Sequence, residues 1–135
     1  MANQTLRSGR ISFYLPKGDD KDTDTKVSVY VTARFNNQFD LLLAKKEHFA
    51  GTDTWEDDGQ HTYTYQLDVT PIDLSQINAD IKTTISIEPN SNDTIKFEYA
   101  LSLNFDDGDP NTAQIELTQK RTDIVLSQDN RNFVS

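Results

Sequence analysis

Residues 95–105 read IKFEYALSLNF, and their rhythm decides the fold. Ile95, Phe97, Tyr99, Leu101, Leu103 and Phe105 are apolar, while Lys96, Glu98, Ala100, Ser102 and Asn104 fall between them. A period of two sends the two sets to opposite faces of an extended strand. One buried face and one wet face is the pattern of an antiparallel sheet.

The same rhythm recurs on both sides of this stretch. Val27, Val29 and Val31 alternate with Ser28, Tyr30 and Thr32, and HTYTYQL at 61–67 alternates Tyr63, Tyr65 and Leu67 with Thr and Gln. Shorter segments at 10–15, 39–43, 81–88, 112–118 and 121–127 complete eight expected strands. Turn formers separate them, at Gly18, FNNQF, DDG, EPNSND and DDGDPN. No segment carries a helical period, and DLSQIN at 73–78 predicts one short helical turn capped by Asp73 or Ser75. Strands separated by turns about every 8–15 residues predict an all-β fold, an eight-stranded antiparallel β-sandwich or jelly roll. With no internal repeat, low-complexity tract or linker, residues 1–135 are read as a single domain.

Composition bounds the function. The chain has 135 residues, 35% of them hydrophobic, with seven Phe, five Tyr and one Trp, which suits a folded domain with a real core. A net charge of -9 argues against nucleic acid, whose phosphates need a basic face. An anionic bilayer would repel the bare chain as well. The absence of cysteine excludes disulfides, zinc-thiolate sites and thiol chemistry. No apolar stretch approaches the roughly 20 residues of a membrane-spanning helix. The start MANQTLRSGR lacks the apolar core of a secretory signal, and the compartment stays open.

The loops carry the chemistry. If each strand runs antiparallel to the one before, the connections 16–25, 44–60 and 88–94 share one end of the fold. The connections 35–38, 69–80 and 106–111 share the other. Among 22 carboxylates, Asp19, Asp20, Asp22 and Asp24 then meet Asp53, Glu56, Asp57 and Asp58 at the first end, joined by Asn90, Asn92 and Asp93. Carboxylates this close repel one another, and a divalent cation relieves the repulsion. Calcium is the expected cofactor, because it takes six to eight oxygens and accepts irregular loops. Asp20, Asp22 and Asp24 alternate, so their side chains can converge on one point. The loop is no EF-hand: counted from Asp20, Thr25 stands where that motif needs Gly and Val31 where it needs Glu. Magnesium demands stricter geometry, and only His48 and His61 offer nitrogen to a transition metal. The bland alternative is a solvated acidic turn. For Asp106, Asp107 and Asp109, DDGDPN reads more simply as turn chemistry.

GDDKDTDTKVSVYV at 18–31 resembles the opening of PLAT-type and C2-like β-sandwiches, where an acidic stretch leads into an alternating strand. NDTIKFEYALSLNFDDG at 92–108 resembles their later strand, which ends in an acidic Asp-Gly turn, and TWEDDGQHTYTYQLDV at 54–69 is similar to the segment between. About half the chain is covered. Ile95 stands where a PLAT domain more often shows tryptophan. The resemblance implies an eight-stranded binding module that uses calcium on loop aspartates to engage membranes, lipids or proteins. Carried over, it makes Asp19, Asp20, Asp22 and Asp24 ligands, with Asp57 and Asp58 as partners.

Phe49 and Trp55 stand in the same connection as the second acidic run. They would insert into a bilayer surface or stack on a sugar, unless they fold back to cover the open end. Lys45 and Lys46 would pair with an anionic headgroup or with neighbouring acids. Catalysis has thin support, since no thiol, no glycine-rich phosphate loop and only two histidines are present. The carboxylates crowd in turns with no apolar pocket to raise a pKa. The leading expectation is a non-catalytic calcium-binding module for a lipid or membrane surface or a protein partner. A carbohydrate-binding module with structural calcium comes second, and a metal-free assembly protein third.

Overall fold

Alternation becomes a sheet when each strand finds hydrogen-bonding neighbours on both sides. The computed structural model describes residues 4–15, 25–36, 38–51, 55, 61–78, 80–88 and 94–135. Eight strands form: β1 (Thr5–Tyr14), β2 (Lys26–Phe35), β3 (Phe39–Phe49), β4 (Thr62–Val69), β5 (Lys82–Glu88), β6 (Thr94–Asp106), β7 (Ile115–Ser127) and β8 (Asn132–Val134). They lie in the order β7-β6-β1-β4-β3-β2-β5-β8, and every pairing is antiparallel. The sheet curls until its two ends approach, a nearly closed, barrel-like arrangement. Ile95, Phe97, Tyr99, Leu101, Leu103 and Phe105 are each at most 1% exposed. β1, β2 and β5 add Ile11, Phe13, Val27, Val29, Val31, Ile85 and Ile87 to that core.

Four boundaries depart from the sequence reading, each for a local reason. β1 begins at Thr5 rather than at residue 10, because a register shift between Leu6 and Ser8 breaks the alternation. β3 continues past Leu43 to Phe49, through two register shifts against β2 and a left-handed His48 (φ 52°), which break the alternation. The segments 112–118 and 121–127 are one strand, β7, carrying an irregularity between Phe97 and Tyr99 of its partner and a left-handed Asp123 (φ 57°). A bulge of this kind shifts the phase of a period-two pattern, so one strand reads as two. β8 is three residues long, too short to show a period. The expected helical turn is a single 3-10 turn, Leu74–Gln76, with Asp73 as its cap accepting from the Ser75 N–H.

The ends of the curled sheet meet at a polar seam. Gln119 of β7 is 8% exposed, and its Oε1 accepts from Thr83 Oγ1 and from Tyr99 Oη, each at 2.6 Å. Its Nε2 donates to the Ile81 carbonyl at 2.9 Å. Two hydroxyl donors on one side and a carbonyl on the other fix which end of the amide is oxygen. Burial pushes the Tyr99 hydroxyl pKa up, so this donor stays protonated. Phe133 of β8 adds an edge contact to the Tyr99 ring at 6.0 Å.

Gly9 lies where β1 passes closest to its neighbours. A Cβ there would stand 2.9 Å from Leu103 Cδ2 and 3.3 Å from Val69 Cγ1. Overpacking a core costs about 1–3 kcal/mol, whereas removing a strand glycine returns about 0.5–1 kcal/mol. Gly9→Ala is therefore expected to lower stability by about 1 kcal/mol net, read from the urea midpoint. A stabilised variant would show that Leu103 yields without cost.

Candidate functional site

The register fixes which loops neighbour one another. Tyr14 at the end of β1 lies between Thr62 of β4 and Glu98 of β6. Lys26 at the start of β2 pairs with Glu88, Val27 pairs with both Phe49 and Ile87, and Thr94 pairs with Ser127. The strand ends that bound the three acidic connections thus share one pole. Arg7 and Asp106 pair at the other, near the Asp73 bridge to Thr5. The expected ligands Asp19, Asp20, Asp22, Asp24, Asp57 and Asp58 lie outside the described residues, as do Asp53, Glu56, Asn90, Asn92 and Asp93. Among the described residues, no group of three or more His, Cys, Asp or Glu side chains is placed to hold a metal.

Beneath the pole lies an aromatic floor. Trp55 is 1% exposed, stacked on Phe13 at 4.5 Å and 22° between planes, with Tyr63 on a further stack at 6.0 Å. Its Nε1 donates to Tyr65 Oη at 2.8 Å, which satisfies the one polar atom the ring brings inside. Phe49, 8% exposed, packs on Tyr65 at 4.8 Å and on Phe13 at 6.3 Å. Phe97 closes the cluster edge-on to Phe13 at 5.6 Å. Both aromatics expected at the ligand therefore sit in the core, and neither turns a face to solvent. Two left-handed residues, His48 and Ala50 (φ 62°), direct the chain from β3 over this floor.

A polar network flanks the pole on the outer face of β3, β2 and β5. Glu47 accepts from Tyr30 Oη at 2.9 Å and pairs with Lys45 Nζ at 3.0 Å. The Lys45 ammonium, then the Tyr30 hydroxyl, hold the Glu47 carboxyl below the usual carboxylate range. Bonding to Glu47 raises Lys45 and Tyr30 in turn. His48 Nδ1 lies 2.8 Å from Glu88 Oε1, and the His48 backbone N–H donates to Ser28 Oγ at 3.0 Å. Lys46 Nζ sits 5.9 Å over the Phe49 ring. These groups are solvated, and pairs of this kind are worth little to stability. His61 is exposed, 6.4 Å from the Tyr63 ring.

At the opposite pole, DDGDPN is turn chemistry in detail. Asp106, Asp107 and Asp109 each accept from the backbone N–H two residues on, at 3.0, 2.9 and 2.9 Å. Arg7 Nε donates to Asp106 at 2.9 Å, and Gly108 takes the left-handed φ of 84°. No protein-family model, no curated protein and no solved structure matches this chain.

Proposed function

We propose that this protein is a non-catalytic, calcium-dependent binding module, an eight-stranded antiparallel β-sandwich that presents its acidic pole to an anionic lipid surface. The sandwich reading rests on how the sheet divides. Among the described residues, β7-β6-β1-β4 and β3-β2-β5-β8 are joined along the sheet by the Ala44↔Val69 and Lys45↔Asp68 pairs and by the Thr70 N–H bond to the Leu43 carbonyl. The observation that carries the function is the shared pole of the strand ends bounding 16–24, 52–60 and 89–93. It supports Asp19, Asp20, Asp22 and Asp24 as calcium ligands, with Asp57 and Asp58 from the second run. Hard carboxylate oxygens on irregular connections suit calcium, which tolerates uneven coordination. Bound there, the ion would reverse the local sign on a chain of net charge -9 and bridge to a phosphate headgroup. The buried Trp55 and Phe49 leave the ion and the loops themselves to make the contact. A sugar contact through those two rings has no such support.

Thermal unfolding in calcium, magnesium and chelator tests this reading. Calcium at about 100 times its dissociation constant stabilises the native state by about 2.7 kcal/mol, which raises the midpoint by on the order of 10 °C. The rise is expected to be specific to calcium and to vanish in the Asp22→Asn, Asp24→Asn double variant. Phosphatidylserine vesicles should then sediment the protein in calcium but not in chelator. Superimposable unfolding curves in the three buffers would overturn the proposal.

A further inference from the structure

We propose that the outer face of β4, β1, β6 and β7 holds a subsite for one pyranose ring of a neutral polysaccharide. The inference is independent of calcium and uses a different surface from the acidic pole. Register assembles the site from residues far apart in sequence. Thr64, Ser12, Ala100 and Lys120 form one row across the four strands, and Thr62, Tyr14 and Glu98 form the next. At Ala100 the side chain stops at Cβ, while Tyr14, Glu98 and Lys120 stand around it. The result is an open groove of about 230 Å³ lined by Ser12, Tyr14, Thr62, Glu98, Ala100 and Lys120.

The lining selects the ligand by chemistry. Lys120 can only donate hydrogen bonds, an ionised Glu98 can only accept them, and the Ser12 and Thr62 hydroxyls do both. Tyr14 adds an aromatic wall to the groove. A sugar ring presents the complement, alternating hydroxyl donors and acceptors about an apolar face. Neither Glu98 nor Lys120 has a salt-bridge partner among the described residues. An anionic ligand would meet the Glu98 carboxylate, so a neutral glycan fits better than a phosphate.

The groove is smaller than the roughly 300–1,000 Å³ of pockets that enclose a whole drug-sized ligand. One ring is therefore all it holds, and useful affinity requires a chain that continues along the face. The next row supports such a continuation, with Gln66, Arg10, Ser102 and Thr118 in register.

Native gels cast with hydroxyethylcellulose, glucomannan, galactomannan or dextran, run in chelator, test the site. Retardation of the wild-type chain in at least one of them is expected. Ala100→Leu, which fills the groove, and Tyr14→Ala, which removes its wall, should each weaken that retardation about tenfold. Ala100 is exposed, so the unfolding midpoint of Ala100→Leu should stay near the wild type and separate lost binding from lost folding. Unretarded migration of the wild type in all four polymers would overturn the proposal. So would retardation that persists in a folded Ala100→Leu chain. The calcium reading stands or falls separately, on the unfolding curves.

Discussion

Trp55→Ala is expected to cost about 4 kcal/mol, lowering the thermal midpoint by roughly 15 °C. The ring is the largest fully buried side chain, and it stacks on Phe13 within a cluster that also holds Tyr63, Tyr65 and Phe49. Truncation removes both the transfer free energy and the contacts lining the cavity left behind. Neighbouring aromatics are rigid and cannot collapse far, which keeps the cost near the upper part of the usual range. Trp55→Phe should be milder, since it preserves the stack and loses only area and the hydrogen bond to Tyr65. Chemical denaturation of both variants orders them. A loss under about 1 kcal/mol for the alanine variant would place the ring outside the core.

The second large effect concerns the seam. Gln119→Leu is expected to cost about 3 kcal/mol, because it strips partners from the Thr83 and Tyr99 hydroxyls and the Ile81 carbonyl at once. The penalty belongs to the stranded partners rather than to the lost amide. Adding Thr83→Val and Tyr99→Phe removes both hydroxyls, so the triple variant should recover at least half of the loss. A triple variant no more stable than the single one would show that the seam is held by packing alone. Amide exchange should also quicken along β8 in the single variant, where three residues pair with β5.

What the sequence made legible follows from periodicity. β6 reads cleanly because its large apolar residues keep one phase throughout, and alternation selects its whole buried set except Ser102. β3 first loses its phase at Leu43, where the register slips between Ala44 and Leu42, and β7 at Asp123, and a phase shift cannot be told from a strand end without the partner strand. The opposition of the loops was legible from parity, since antiparallel neighbours return each chain end to the same side. The burial of Trp55 was not, because a tryptophan among acids and glycines carries no local signal of which rings will cover it. Phe13 of β1 and Tyr63 and Tyr65 of β4 define its site, and only the fold brings those strands to it. The groove over Ala100 was hidden for the same reason. Its residues come from four strands, and only the register brings Ser12, Ala100 and Lys120 into one row.

The position of β1 has a consequence for how the chain is made. It is synthesised before the other seven strands, yet it ends between β4 and β6. Ser12 meets Thr64 across 52 residues, and Arg7 meets Asp106 across 99. At about 5–20 residues per second, the β6 side of β1 waits roughly 5–20 s for its partner to emerge. During that interval the nascent strand exposes a bare edge bearing Leu6, Ile11 and Phe13. Arg7, Ser8, Arg10 and Ser12, spaced among them, are the charged and polar gatekeepers that discourage wrong pairing with a neighbouring nascent chain.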